Sequence, residues 1–286
     1  MVQGGSQITN SHAGGVAGMG TITGNGDVTV SAASISNVQG GQLSGASLHV
    51  QGGALDNSGG TLGNVANSSG DVNVTTTGAI TNTNGQISST HDLSIAAATL
   101  QGGGTYSATH DANVHLQGDY TVASDTQFNV GHDLAFTLPG TFTNNASLQS
   151  VNTLSVDAGN IVNAGALTAG GLLHTQSTNL TNTGALVGAS ASLNATNTIS
   201  NLGPTALIGA SDSNGTLDIL AHDMAGGKDA SGSYTNAALV NNVSALIQSD
   251  GDMELHAYRS SPWRTMEQQL SEDHVLRGQR DSDDRD

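Results

Sequence analysis

Histidine stands directly before aspartate at His91-Asp92 and His132-Asp133, in the near-identical stretches HDLSI (91–95) and HDLAF (132–136). THDANVHL at 109–116 reads as a stretched version of the same phrase. An imidazole beside a carboxylate can do two kinds of chemistry. The carboxylate can orient the ring as a general base, or it can hold one ring nitrogen while the other ligates a metal. A third use is architectural. Gly26-Asp27, Gly70-Asp71 and Gly251-Asp252 fill the same slot, just ahead of an aliphatic-x-aliphatic triplet, so histidine replaces glycine at a corner. Glycine takes positive φ freely, and Asn, Asp and His tolerate it best among the rest. The aspartate can bond nearby backbone N–H groups. The corner reading is therefore preferred, with a left-handed residue in the slot. No catalytic, cofactor-binding or metal-ligating residue is expected. His222-Asp223 has no triplet after it and lies in another context.

The slot has meaning only through the elements that repeat around it. The triplets Val28/Val30, Leu48/Val50, Val72/Val74, Leu93/Ile95, Val114/Leu116, Leu134/Phe136 and Leu154/Val156 are followed by Leu173, Leu193 and Leu217/Ile219, in steps of 19 to 24 residues. Met253/Leu255 follows after a longer gap. A second row runs Ile35, Leu55, Ile80, Leu100, Phe142, Ile161, Leu180 and Ile199, and a third Leu43, Leu62, Ile87, Phe128, Leu148, Leu167, Leu186 and Leu207. Alternation with period two marks strands, and the intervening Gly, Asn, Ser and Asp mark turns. Three short strands in about twenty residues leave no room for crossover helices. The expected fold is all-β: a parallel β-helix of about eleven rungs, stacked at roughly 4.8 Å. One coil cannot bury enough apolar surface alone, so its neighbours must complete it. The narrow interior is expected to exclude most aromatics, which make up 3% of the chain.

A second marker is aliphatic-x-Asn, at Asn37, Asn57, Asn82, Asn144, Asn163, Asn182 and Asn201. The last four are 19 residues apart and should stack into a ladder of amides bonded along the axis. A sugar-binding row is the functional alternative.

Charge limits the partners. The 286 residues carry a net charge of −17, and up to residue 257 Lys228 is the sole basic side chain against sixteen acidic ones. Such a body cannot neutralise phosphates, so nucleic acid and anionic membranes are not expected partners. Without cysteine there are neither disulfides nor thiolate metal sites. No apolar run approaches the ~18 residues of a membrane helix, and the first residues lack the regions of a signal peptide. Residues 1–257 are read as one shaft with a loop insertion at 221–236. Residues 258–286, with five Arg and the only Trp, are off-pattern and read as a disordered tail.

The alternation in GDVTVSAASISNVQGGQLSG, LTNTGALVGASASLNATNTISNLG and NVSALIQSDGDMELHA resembles the haemagglutinin repeats of filamentous-haemagglutinin-like exoproteins. The likeness covers roughly residues 3–257. It implies a right-handed β-helical shaft and export by two-partner secretion through an outer-membrane partner. It also implies a secreted or cell-surface location, and a role in adhesion to a host or neighbouring cell or in presenting a distal module. Contact-dependent growth-inhibition filaments belong to the same class. The expectation is a structural repeat segment of a larger exoprotein, not an enzyme and without a cofactor, its cut edges open to end-to-end self-association. The alternatives are a polysaccharide-degrading β-helical enzyme and a shaft fragment of a growth-inhibition toxin. The enzyme would need clustered carboxylates, whereas most Asp here fall at turns. Calcium binding through GNGD (24–27) needs a nine-residue recurrence that is absent, and ice binding needs a regular Thr array that Val162 and Ser200 interrupt.

Overall fold

The structure, a computed structural model, describes residues 1–12, 20–221 and 239–257. Lys228, His222-Asp223 and nearly all of the 221–236 insertion lie outside the described residues, as does the 258–286 tail. Every regular element among the described residues is a strand. The strands group into two compact units, residues 1–141 with 148–151, and residues 142–147 with 152 onward.

In the first unit, strands Val2–Ser11, Val28–Val38, Leu48–Asp56, Val72–Thr76, Leu93–Ala97 and Ala112–Leu116 pair in that order, and the last pairs with the start of Leu134–Asn144. All these pairings are parallel, each to the strand one coil on. A second wall runs Thr21–Thr23, Gln42–Gly45, Thr61–Asn64, Gln86–Ser89, Thr105–Ala108 and Gln127–Val130. The second unit repeats the plan. Leu154–Asn163, Leu172–Asn182, Ser190–Leu202, Thr216–Ala221 and Asp252–Ala257 form one wall. Ala166–Ala169, Ala185–Gly188, Leu207–Ala210 and Leu246–Ser249 form the other. Parallel pairing between successive coils makes each unit a parallel β-helix, with about 10 turns among the described residues.

The aliphatic rows point inward as the alternation requires. Leu93, Leu134 and Leu154 are fully buried and Val114 is 2% exposed. Three details differ from the sequence reading. First, the row is built differently at two coils. Leu93 pairs with Ala112, and Ala112 with Leu134, so the inward pair there is Ala112/Val114. Likewise Ala191/Leu193 pairs with Leu173/Thr175. Alanine serves as the apolar residue where the neighbouring coils supply bulk, and THDANVHL is in register, not stretched. The third row uses Ile208 in place of Leu207, because Leu186 pairs with Ile208.

Second, the first and second rows often share one strand. Leu134–Asn144, Leu154–Asn163 and Leu172–Asn182 each run through both, at 11, 10 and 11 residues. Third, the interior accepts aromatics. Tyr106, Tyr120, Phe128 and Phe136 are all buried in the first unit. Tyr106 stacks on Phe128 at 4.8 Å, and Phe128 meets Phe136 edge-on at 5.1 Å. Offset and edge contacts fill the space that aliphatics fill elsewhere.

Candidate functional site

The histidine corners come together in the first unit. His91, His110 and His132 each follow a bend and precede an inward-facing strand, and successive coils place their side chains above one another. The rings of His91 and His110 stack at 5.2 Å, and those of His110 and His132 at 4.8 Å, each pair within 4° of parallel. Nδ1 of each ring lies 2.9 Å from a carboxylate one coil back: His91 from Asp71, His110 from Asp92, His132 from Asp111. The same Nδ1 atoms lie 3.5, 3.4 and 3.5 Å from the aspartate that follows each histidine in sequence. The carboxylates are themselves tied down. Asp71, Asp92 and Asp111 accept the backbone N–H of Asp92, Asp111 and Asp133 at 3.3, 3.1 and 3.1 Å.

Electrostatics follow from this arrangement. The hydrogen bond to Asp71 holds the His91 pKa above its ordinary value, aided by the charge of Asp92 and opposed by slight desolvation. Burial pushes the Asp92 carboxyl up, but the Asp111 backbone N–H and the His110 and His91 rings outweigh it, and its pKa falls below the usual value. Two trios have ligand-type atoms all within 4.8 Å of one another: His91, Asp92 and His110, then His110, Asp111 and His132. These are the described residues with the donor set for a metal.

The backbone reason for the corner needs correction. None of His91, His110 and His132 has positive φ, nor do Gly26, Gly70 and Gly251. Gly70 is small because a Cβ would lie 2.3 Å from the Ala46 carbonyl oxygen. Histidine here is held by the aspartate one coil back, not by left-handed backbone. Five left-handed residues fall instead at the asparagine corner, two positions after the amide: Gln39 (φ 53), Gly59 (φ 64), Asn84 (φ 53), Gly203 (φ 96) and Ser244 (φ 53). Asn67 (φ 63) lies in the turn before Gly70, not in the slot itself.

The asparagines form one ladder in each unit. Nδ2 of Asn10, Asn37 and Asn57 donates to Oδ1 of Asn37, Asn57 and Asn82, each at 2.7 Å. In the second unit Asn144, Asn163 and Asn182 donate to the next amide at 2.8 Å, and Asn201 donates to Asn242 at 2.9 Å. The spare N–H of Asn163 and Asn182 reaches the Ala185 and Leu207 carbonyl oxygens. Asn10 and Asn242 escaped the sequence pattern, although Asn10 follows Ile8 and Asn242 follows Val240 at the same spacing. One coil beyond Asn82, Gly102 takes the matching corner position and ends the first unit's ladder, since Gln101 pairs with Thr81. The seven asparagines read from the sequence are fully buried, so they present no sugar-binding row. A shorter outer column, Asn160, Asn179 and Asn197, is linked at 2.8 and 2.7 Å.

Among known proteins, a tRNA nuclease, CdiA-2, from Burkholderia pseudomallei strain 1026b is 61% identical over 281 residues, covering 90% of this chain. The chain is a haemagglutinin-repeat shaft of the filamentous-haemagglutinin-like kind. The CdiA toxin of Yersinia pestis is 31% identical over 198 residues, or 54% of the chain. This filamentous-haemagglutinin-like chain spans 9% and 6% of the length of those two relatives. No family model matches it, and no solved structure does. The expectation that it is not an enzyme is corrected by the Burkholderia relative, which is named a nuclease.

Proposed function

We propose that the chain is a stretch of the stem of a CdiA-type contact-dependent growth-inhibition exoprotein. The stem projects from the producing cell and carries a toxic module towards a neighbouring cell. The nuclease chemistry named for the Burkholderia relative belongs, on this reading, to the exoprotein as a whole. Export runs through an outer-membrane partner, and the exposed faces of the coils meet the surface of the neighbouring or host cell.

The observation that carries this reading is 61% identity across 281 residues with such a protein, in a chain whose coils pair edge to edge. A solenoid suits the task physically. Each added coil extends the stem by one strand spacing, roughly 4.8 Å, and each coil needs only its neighbours for stability. Chains without cysteine also pass a secretion pore with no disulfide to undo.

The test uses the full exoprotein expressed with its secretion partner. Whole coils are deleted in register, for example residues 154–172, which replaces Leu154 by its register partner Leu173. Surface display should persist while killing of neighbouring cells in co-culture falls as coils are removed. Unchanged killing after removal of the whole segment would overturn the stem reading.

A further inference from the structure

We propose that the column His91, Asp92, His110, Asp111 and His132 is a binding site for one first-row divalent metal ion of the zinc class. Its position is the outer corner of the first unit, away from the aliphatic interior, with the three histidine side chains 45 to 48% exposed. A solvent ion therefore reaches it without opening the coil.

The spacing fits a small ion. Two ligand atoms on a tetrahedral ion with bonds of ~2.1 Å are roughly 3.4 Å apart. Asp92 Oδ2 lies 3.5 Å from His91 Nδ1 and Asp92 Oδ1 lies 2.9 Å from His110 Nδ1, so this carboxylate presents one oxygen to each ring at close to that span. Asp111 Oδ2 lies 3.4 Å from His110 Nδ1 and Asp111 Oδ1 lies 2.9 Å from His132 Nδ1, in the same arrangement. Each trio thus offers two nitrogens and one carboxylate, and water completes the shell of the ion. Imidazole with carboxylate suits zinc, copper and nickel better than calcium or magnesium, which prefer all-oxygen sets.

Protons balance simply. A neutral ring that ligates through Nδ1 gives up its hydrogen bond to the carboxylate one coil back and moves its proton to Nε2, which has no partner among the described residues and can face water. A protonated ring releases one proton to solvent on binding. The carboxylates are already positioned by backbone N–H donors from the next coil. Asp71 and Asp133 flank the column, and the described residues contain no Lys or Arg to compete for it. The cation thus relieves a run of four carboxylates.

The two trios share His110, and this sets the test. Zinc is titrated into the full chain by isothermal calorimetry, with circular dichroism as the check on folding. The wild-type chain should bind one ion with a micromolar dissociation constant. His110→Ala belongs to both trios and should weaken binding at least tenfold, with His110→Gln as the second variant. His91→Ala and His132→Ala each leave one trio whole and should cost about twofold. His49→Ala, outside both trios, should change nothing. Binding weaker than millimolar in the wild type would overturn the site. So would His110→Ala binding as tightly as wild type, or His91→Ala and His132→Ala each losing as much as His110→Ala.

Discussion

Asn163 donates from Nδ2 to Asn182 Oδ1 over 2.8 Å, and neither side chain reaches water. The two residues sit one coil apart on the same corner, because Asn163 and Asn182 are register partners. An amide in this position does two jobs at once. It caps the corner carbonyl of its own coil through Gly165 and that of the next through Ala185, and it passes a donor along the axis. A hydrophobic residue of similar size could do neither.

Asn163→Ala should therefore be severe. It removes the acceptor of Asn144, leaves Asn182 Oδ1 with only the longer Gly184 N–H bond, and takes the amide donor from the Gly165 and Ala185 carbonyls in a dry corner. Buried groups left unpaired cost ~1–3 kcal/mol each. A loss of about 3 kcal/mol is expected by urea denaturation followed at a β-sheet wavelength. Asn179→Ala, in the outer column, should lose less than ~1 kcal/mol.

Thr175 should be improved by simplification. It is fully buried between Val156 and Leu193 in an otherwise aliphatic row, and its Oγ1 has no hydrogen-bond partner. Thr175→Val keeps the shape and removes the unpaired hydroxyl. A gain of about 1 kcal/mol is expected from the same denaturation experiment. Tyr106→Phe rests on similar logic, because the Tyr106 hydroxyl is buried beside the Asn82 amide but outside ordinary hydrogen-bond geometry. It should be neutral or mildly stabilising.

The stacked rows predict a contrast between similar residues. Leu167 is fully buried between its partner strands, and Leu167→Ala should cost about 2–5 kcal/mol through lost burial and the cavity left behind. Val151 is 62% exposed, and Val151→Ala should stay within ~0.5 kcal/mol of wild type. Equal effects from the two substitutions would contradict the inward row.

Two histidines should titrate on opposite sides of the ordinary value of 6.5. His91 is raised by Asp71, so its contribution to stability is complete below 6.5 and fades as pH rises through its higher folded pKa. His174 is half-buried, and desolvation lowers its pKa against the weaker pull of Asp157. Its protonation costs stability as pH falls below 6.5. Proton NMR of the imidazole resonances reads both midpoints. Asp71→Asn should bring the His91 midpoint down and leave that of His174 in place.

The class of fold was legible because a parallel coil writes itself into sequence as repetition. Aliphatics at a fixed interval, with turn residues between them, are enough to specify stacking. Leu43, Leu62 and Ile87 were readable as one row for that reason, and they pair directly. Reading failed where the signal was volume, not type. Ala112 and Ala191 look like spacers in a string of small residues, and only the neighbouring coils reveal that they face inward. Aromatic burial at Tyr106 and Tyr120 was hidden for the same reason, since the room for a ring is made by residues a whole coil away.

The histidine corner divides along this line. Sequence alone determined that His91-Asp92 and His132-Asp133 occupy a corner ahead of a buried strand, since local spacing sets which residues leave the wall. Tertiary structure alone decided that His110 joins them, that each ring bonds the aspartate of the coil before it, and that backbone twist is not the reason for histidine there. Those bonds connect residues 18 to 21 positions apart. No local rule carries a contact across that distance. The stacking of coils does, because it converts a sequence period into an ångström-scale one.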